Sequence, residues 1–311
     1  MLKLDSPSRP ETIDDLLEPT LVSRLSQLDI ASRKIFAGKL KGERRSKRRG
    51  ESVEFADYRP YVSGDDIRHI DWNIYGRLDR LFLKLFLEEE DLSLHMVIDA
   101  SGSADTGEPS KLLFMQKAAA ALGYIGLVNY NRVALSVIGG EGGEVLTSIR
   151  DLRGRRRVHE LAKFVCGIRP GGTASFGEAC KRIALSRRGR GVMIVLSDFF
   201  IKEGYEAGLR LLLGRGYDLF AIQVLSPQEI DPAGPGGVTG DLRLKDVEDG
   251  DLAEVTISAP LLKKYKALLT AYTDQLRAFC ARREISLLTV QSDLGIDTLL
   301  LDYMRRKGIL R

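Results

Sequence analysis

The sequence predicts an α/β fold: a doubly wound, mostly parallel sheet with an N-terminal arm and a β-hairpin insertion. From Asp99 onward, short apolar or β-branched runs alternate with longer helical stretches, which is typical of a parallel sheet flanked by helices. Glycine is abundant, at 31 of 311 residues, and suits many turns between strands and helices. The composition, 44% hydrophobic and 29% charged, is that of a globular chain and excludes wholesale disorder.

The N-terminal region, residues 1–90, is predicted to be an arm packed on a domain at 91–311, because it has few apolar positions for a core of its own. Apolar residues recur at helical spacing in 11–37, with a break at Pro19. A strand is expected at 52–58, followed by a GDDxRxIDW segment at 64–72. We expect the charged side chains of this segment to form a network around the ring of Trp72.

After residue 91 the pattern predicts six strands and six helices in one domain. The strands are expected at 92–99, 133–138, 145–149, 192–197, 219–225 and 285–291. The helices are expected at 111–129, 156–165, 176–186, 205–213, 261–283 and 296–307. Residues 231–258 interrupt this order, and their two short alternating runs around an acidic turn predict a protruding hairpin insertion.

The net charge of +4 is unevenly distributed. Residues 39–49 contain seven basic side chains and one acid. Such a run can contact nucleic acid, a membrane surface or an acidic partner, although a short run is more often a solvated loop. It has no interleaved aromatic residues, so no specific nucleic-acid partner is expected, only unspecific and salt-sensitive binding.

Cysteine usage and hydropathy predict a cytoplasmic protein without a membrane span. The three cysteines, Cys166, Cys180 and Cys280, form no CxxC pair and are expected to be buried apolar filler. No stretch approaches about eighteen consecutive apolar residues, and the first residues place acids and prolines where a signal peptide needs an apolar core.

Oxygen-bearing side chains follow three of the predicted elements. Asp99, Ser101 and Ser103 follow the first strand, Thr173 follows two glycines before a helix, and Asp198 follows the strand at 192–197. In an open parallel sheet, ligands bind beyond the carboxyl ends of the strands. Two carboxylates and three hydroxyls, without imidazole or thiolate, suit Mg²⁺ (or Mn²⁺) better than zinc or copper. The same hydroxyls could instead cap helices.

These five residues resemble the metal-ion-dependent adhesion site, or MIDAS, of von Willebrand factor A domains. The segment before them adds to the resemblance, because Tyr58-Arg59-Pro60-Tyr61 and the GDDxRxIDW segment are similar to the signature of the DUF58 family. Members of that family carry a von Willebrand A-like domain. The resemblance extends from about residue 21 to the C-terminus and implies a Mg²⁺ site at Asp99, Ser101, Ser103, Thr173 and Asp198. It also implies association with a MoxR-type AAA+ ATPase.

The function expected first is a non-enzymatic adaptor or cochaperone, whose metal accepts a carboxylate from an unknown client or partner protein. No GxxxxGK[ST] loop is present, so the chain is not expected to hydrolyse ATP itself. A Mg²⁺-dependent phosphatase is the alternative, but Ser101 stands where a second carboxylate would be needed. Unspecific nucleic-acid binding through residues 39–49 is the third possibility.

Overall fold

We describe a computed structural model of the chain. The structure describes residues 9–31, 54–63, 65, 67, 70–87, 92–141, 144–172, 174–186, 191–234, 240–245 and 252–311. The basic run at 39–49 lies outside the described residues, and so does Thr173.

Within the described residues, ten strands form three sheets. The strands are β1 Glu54–Pro60, β2 Phe82–Leu87, β3 Ser93–Asp99, β4 Arg132–Ile138, β5 Leu146–Leu152, β6 Gly191–Ser197, β7 Tyr217–Leu225, β8 Gly240–Lys245, β9 Leu252–Ile257 and β10 Ser286–Gln291. The central sheet has the order β10-β7-β6-β3-β4-β5, in which only β5 is antiparallel to its neighbour. The predicted fold class, mixed α/β with a mostly parallel sheet, is confirmed.

Of the described helices, two precede the first strand, one follows the last strand, and the others lie between strands in the chain. The helices are α1 Ile13–Leu16, α2 Pro19–Leu25, α3 Trp72–Leu78, α4 Lys111–Val128, α5 Val158–Cys166, α6 Phe176–Ser186, α7 Glu206–Leu213, α8 Pro227–Ile230, α9 Ala259–Ala281 and α10 Ile296–Thr298. Pro19 begins α2, as the predicted break requires. The helix expected at 296–307 is helical through residue 306, and it consists of α10, a π-helical segment, Leu299–Met304, and two further helical residues.

The central strands are buried on both faces, which is why they read as continuous apolar runs. Alternate residues of β3 face opposite sides: Met96 packs with α4 and α5, and Val97 packs with α6 and α7. Helix α4 has the length and apolar composition to cross a membrane, but 83% of it is buried inside the protein. It is the central helix of one face of the core.

Contacts divide the chain into two compact units, Met1–Lys41 with Leu92–Arg311, and Gly42–Asp91. In the first unit, Leu16, Leu25 and Ile30 belong to the same apolar core as the sheet. Ile30 also forms an antiparallel bridge with Leu310. The apolar residues of α1 and α2 therefore complete the core of the α/β unit.

The second unit contains β1 and β2, paired antiparallel, and α3. Asp71 is the N-cap of α3: its carboxylate accepts hydrogen bonds from the backbone of Asn73 and from the Tyr58 hydroxyl, at 2.9 and 3.0 Å. Asp65 pairs with Arg59 at 2.8 Å. The expected charge network around Trp72 is wrong for the described residues, since its side chain is 62% exposed and has an edge-on contact with Tyr75. Asp66, Arg68 and His69 lie outside the described residues.

The insertion at 231–258 contains the predicted hairpin, in which β8 and β9 pair antiparallel. Asp231, at its start, forms an exposed ion pair with Lys266 of α9 at 2.9 Å. Cys166, Cys180 and Cys280 are free and buried, as expected.

Candidate functional site

The carboxyl ends of β3 and β6 lie side by side at one edge of the central sheet. The two strands are parallel neighbours, with Ile98 opposite Leu196. Asp99 is the last residue of β3, and Asp198 directly follows Ser197, the last residue of β6. The sheet therefore brings two carboxyl groups that are 99 positions apart in the sequence to one edge.

The loop after β3 carries Asp99 and two serines. The Asp99 carboxylate accepts hydrogen bonds from the backbone of Ser101 at 3.1 Å and from the hydroxyl of Ser197 at 2.7 Å. The hydroxyl oxygens of Ser101 and Ser103 are 3.1 Å apart. Ser101 is the N-cap of a 3₁₀ turn, Gly102–Asp105, and Ser103 lies within this turn. Three of the five predicted donors are thus together.

Asp99 is 6% exposed, and burial raises the pKa of its carboxyl group. The nearby charge of Asp198 raises the pKa further, whereas the hydrogen bonds from Ser197 and Ser101 act in the opposite direction. Within the described residues no lysine or arginine forms an ion pair with Asp99. Its ionised form therefore lacks a positive partner in this part of the chain.

Asp198 has a different environment. One of its carboxylate oxygens accepts a hydrogen bond from the ammonium of Lys111 at 2.7 Å, and the other accepts one from the backbone of Phe200 at 3.0 Å. Its own carbonyl accepts a hydrogen bond from the buried side chain of Gln223. Phe199, the next residue, has a φ of 61°, a left-handed conformation that a phenylalanine rarely adopts. Burial of the Phe199 ring among other aromatic side chains stabilises this turn.

Lys111, the first residue of α4, is fully buried and contacts a second carboxylate, that of Glu229 in α8, at 2.5 Å. Burial by itself would lower the pKa of the Lys111 ammonium, but the charges of Asp198 and Glu229 outweigh it and hold the pKa above its ordinary value. Sequence reasoning missed both residues. A lysine at the first position of a mostly apolar helix is the signal that could have indicated Lys111.

The loop that leads to Thr173 is joined to the same edge of the sheet. The backbone of Gly171 donates a hydrogen bond to the carbonyl of Ala100 at 3.0 Å, and its own carbonyl accepts one from Gly140 at 2.7 Å. Gly139, Gly140 and Gly171 all have left-handed φ angles, and a side chain at Gly139 or Gly171 would meet backbone atoms of the neighbouring loop at 3.2–3.3 Å. Glycine therefore permits this close contact of loops.

A further acidic residue that sequence reasoning missed supports the start of α6. Glu203 accepts hydrogen bonds from the hydroxyl of Ser175 and from the backbone of Gly177, both at 2.8–2.9 Å. It joins the loop after β6 to the first turn of α6, a favourable place for a negative charge. No sequence motif indicates such a pair, because its members are 28 residues apart.

The donor set suits a hard divalent cation. Mg²⁺ and Mn²⁺ prefer oxygen ligands and can bind through a few protein oxygens, because water molecules complete the coordination shell. Asp99 is a buried carboxyl group without a basic partner in the described ranges, so a cation would supply the charge it lacks. Those ranges contain no group of three or more His, Cys, Asp or Glu side chains placed to bind a metal, so an ion here would depend on the serine hydroxyls as well.

The two histidines within the described residues lie away from this edge of the sheet. His95 lies in β3, where its Nε2 hydrogen-bonds to the Ser136 hydroxyl at 2.9 Å. His159 lies in α5. Neither belongs to the edge that carries Asp99 and Asp198.

These features define an α/β protein with an oxygen-rich site at the carboxyl edge of its sheet. The model of the family "Protein of unknown function DUF58" matches residues 57–275, and the chain belongs to this family. The predicted resemblance to DUF58 is therefore confirmed. Uncharacterized protein Rv1480 of Mycobacterium tuberculosis and Uncharacterized protein Mb1516 of Mycobacterium bovis are each 26% identical to the chain over 304 residues, covering 95% of it and 93% of the relative.

Similar solved structures include von Willebrand A-type domains. The conserved hypothetical protein BatB from Bacteroides thetaiotaomicron matches with a TM-score of 0.43 and 14% identity, over 70% of this chain and 98% of its own. A von Willebrand factor type A structure from Catenulispora acidiphila matches with a TM-score of 0.32 and 16% identity, over 58% and 42% of the two chains. Manganese-loaded TRAP protein of Plasmodium vivax matches with a TM-score of 0.33 and 18% identity, over 43% of this chain and 57% of its own. Scores of this size transfer no binding function to the chain.

Proposed function

We propose that this protein is a non-enzymatic, metal-dependent protein-binding module. The observation that carries the proposal is the meeting of Asp99, Ser101, Ser103 and Asp198 on two adjacent loops at the carboxyl edge of the sheet. Asp99 and Asp198 would hold Mg²⁺ or Mn²⁺ with the serine hydroxyls and with Thr173, which the sequence pattern adds. The bound ion would supply a positive charge that accepts a carboxylate from a partner protein.

The residues of the chain have separate roles in this proposal. Ser197 orients the Asp99 carboxylate by donating to one of its oxygens, and the backbone of Ser101 fixes the other. The backbone of Phe200 fixes Asp198 in the same way. Carboxylates held by such bonds need little reordering when an ion binds, which favours binding over a flexible pair of acids.

The phosphatase alternative has no support in the geometry of this loop. Ser101 occupies the position two residues after Asp99 and supplies a hydroxyl, 3.1 Å from that of Ser103, in place of a second carboxylate. A phosphoryl-transfer site of that kind needs an acid and base next to its nucleophile. We therefore retain a binding role as the proposal.

The partner we propose is a MoxR-type AAA+ ATPase, with a client protein still to be identified and a cytoplasmic location. The family membership is compatible with this partner, and the proposed site would accept an acidic side chain from it. The basic run at 39–49 offers a second, salt-dependent contact for an acidic surface in the same proposal.

Capture of a purified MoxR-type ATPase on the immobilised full-length protein tests this function. In millimolar Mg²⁺ the wild type should retain the ATPase, and EDTA should release it. The double variant S101A/S103A should fail to retain it in either buffer, because both hydroxyl oxygens are lost. S186A is the matched control, since that hydroxyl donates only to the carbonyl of Ile183 in α6. Retention that is equal with Mg²⁺ and with EDTA would refute the metal-dependent mechanism.

A further inference from the structure

The Lys111 ammonium lies between a proposed metal ligand and a carboxylate outside the proposed donor set. It is 2.7 Å from Asp198 and 2.5 Å from Glu229, and its side chain is 1% exposed. Asp99, by contrast, has no basic partner in the described ranges. The two carboxylates that would share one ion are therefore unequal before any ion binds.

Lys111 occupies a position where a positive charge is unfavourable unless nearby carboxylates compensate it. Lys111 is the first residue of α4, where the helix dipole disfavours a positive charge. Burying an ammonium requires compensation by carboxylates or hydrogen bonds. Asp198 supplies one such carboxylate, and Glu229 supplies the second.

Glu229 is held in place independently of Asp198. Its other carboxylate oxygen accepts a hydrogen bond from the backbone of Ser226 at 2.7 Å, and its backbone nitrogen donates to the Ser226 hydroxyl at 3.2 Å, forming a capping box. The Tyr265 hydroxyl donates to the Glu229 carbonyl at 2.7 Å. Glu229 is thus a fixed anchor for Lys111, two residues before the hairpin insertion begins.

We propose that Lys111 and Glu229 together set the metal affinity of the site, Lys111 as an internal counter-charge that competes with the ion for Asp198. This inference rests on the proposed function. The ammonium reduces the negative charge that Asp198 offers to a divalent cation. The negative charge of Glu229 partly offsets the charge of the ammonium, and so it partly restores the attraction of Asp198 for the cation. Lys111 and Glu229 are positioning residues, because they act on the ion through Asp198.

Opposite effects on Mn²⁺ binding follow from the two charges. Replacing Lys111 by methionine removes a positive charge beside Asp198, so K111M should bind Mn²⁺ about tenfold more tightly or better. Replacing Glu229 by glutamine removes a negative charge while leaving the ammonium, so E229Q should bind Mn²⁺ about tenfold more weakly. Damage to the fold would weaken binding in both variants, so tighter binding by K111M has no merely structural explanation.

Calorimetric titration of the full-length protein with MnCl₂ tests the inference. K266M is the matched control, because Lys266 also pairs with an acid, Asp231, but both side chains are half exposed at the start of the insertion. It should bind Mn²⁺ as the wild type does. If the wild type binds Mn²⁺ and E229Q and K111M have unchanged affinity, or change in the same direction, the inference is wrong and the proposed function stands. If the wild type binds no Mn²⁺, both fail. If K111M does not fold, weaker binding by E229Q supports the inference and unchanged binding by E229Q overturns it.

Discussion

Asp99 and Asp198 follow neighbouring parallel strands and look equivalent in the sequence, but they are in different electrostatic surroundings. Asp99 has two hydrogen bonds and no described basic partner, and burial raises the pKa of its carboxyl group. Asp198 is paired with a buried ammonium. The difference shows that a pattern of oxygen donors in a sequence does not by itself give the charge of the site they form.

The largest effect should come from removing the charge of Lys111. In EDTA, K111M should lose about 3–5 kcal/mol of unfolding free energy, because the buried carboxylate of Asp198 and the partly buried carboxylate of Glu229 are left without their shared cation. Urea denaturation monitored by circular dichroism measures this loss. A loss below about 1 kcal/mol would mean that the ion pair contributes little and that the two halves of the site are alike.

Mg²⁺ should stabilise the wild type by mass action. At a free concentration one hundred times the Kd, the gain is about 2.7 kcal/mol. The S101A/S103A variant should gain much less, while S186A should gain as much as the wild type, because the Ser186 hydroxyl is bonded within α6. Thermal unfolding in Mg²⁺ and in EDTA measures the gain. Equal gains in all three proteins would place the ion elsewhere.

The smallest effect compares the two aspartates directly. In EDTA, D198N should cost about 1–3 kcal/mol, because it weakens a charged hydrogen bond to a buried ammonium. D99N should remain within about 1 kcal/mol of the wild type, because it removes a buried charge that Asp198 repels while an amide can still accept from Ser197. Denaturant midpoints of the two variants give the comparison. A larger loss of unfolding free energy in D99N than in D198N would contradict this expectation.

The parts of the fold that the sequence predicts are those with a local signal. The six strands of the central sheet begin and end within a few residues of the predicted positions. For β3, β4, β6 and β7 the reason is that strands buried on both faces are continuous apolar runs. The hairpin at 231–258 and the break at Pro19 are also confirmed, because turn residues and proline determine the backbone locally.

Contacts between distant residues had no such signal. Lys111 and Glu229 are 118 positions apart, and neither belongs to a motif. The π-helical turn Leu299–Met304 has the same apolar spacing as an ordinary helix end, so periodicity could not separate the two. The exposure of Trp72 was missed because a tryptophan among charges suggests a buried ring. Whether residues 1–90 pack as one arm stays a prediction.

Calorimetric titration of the wild-type protein with Mn²⁺ tests the central claim most directly. The account predicts saturable binding to one site at up to millimolar Mn²⁺, abolished or weakened about tenfold or more by S101A/S103A and unchanged by S186A. Absence of binding at millimolar Mn²⁺ and at millimolar Mg²⁺ would contradict the account. The oxygens of Asp99, Ser101, Ser103, Thr173 and Asp198 would then have a structural role, and the proposed adaptor would lose its mechanism.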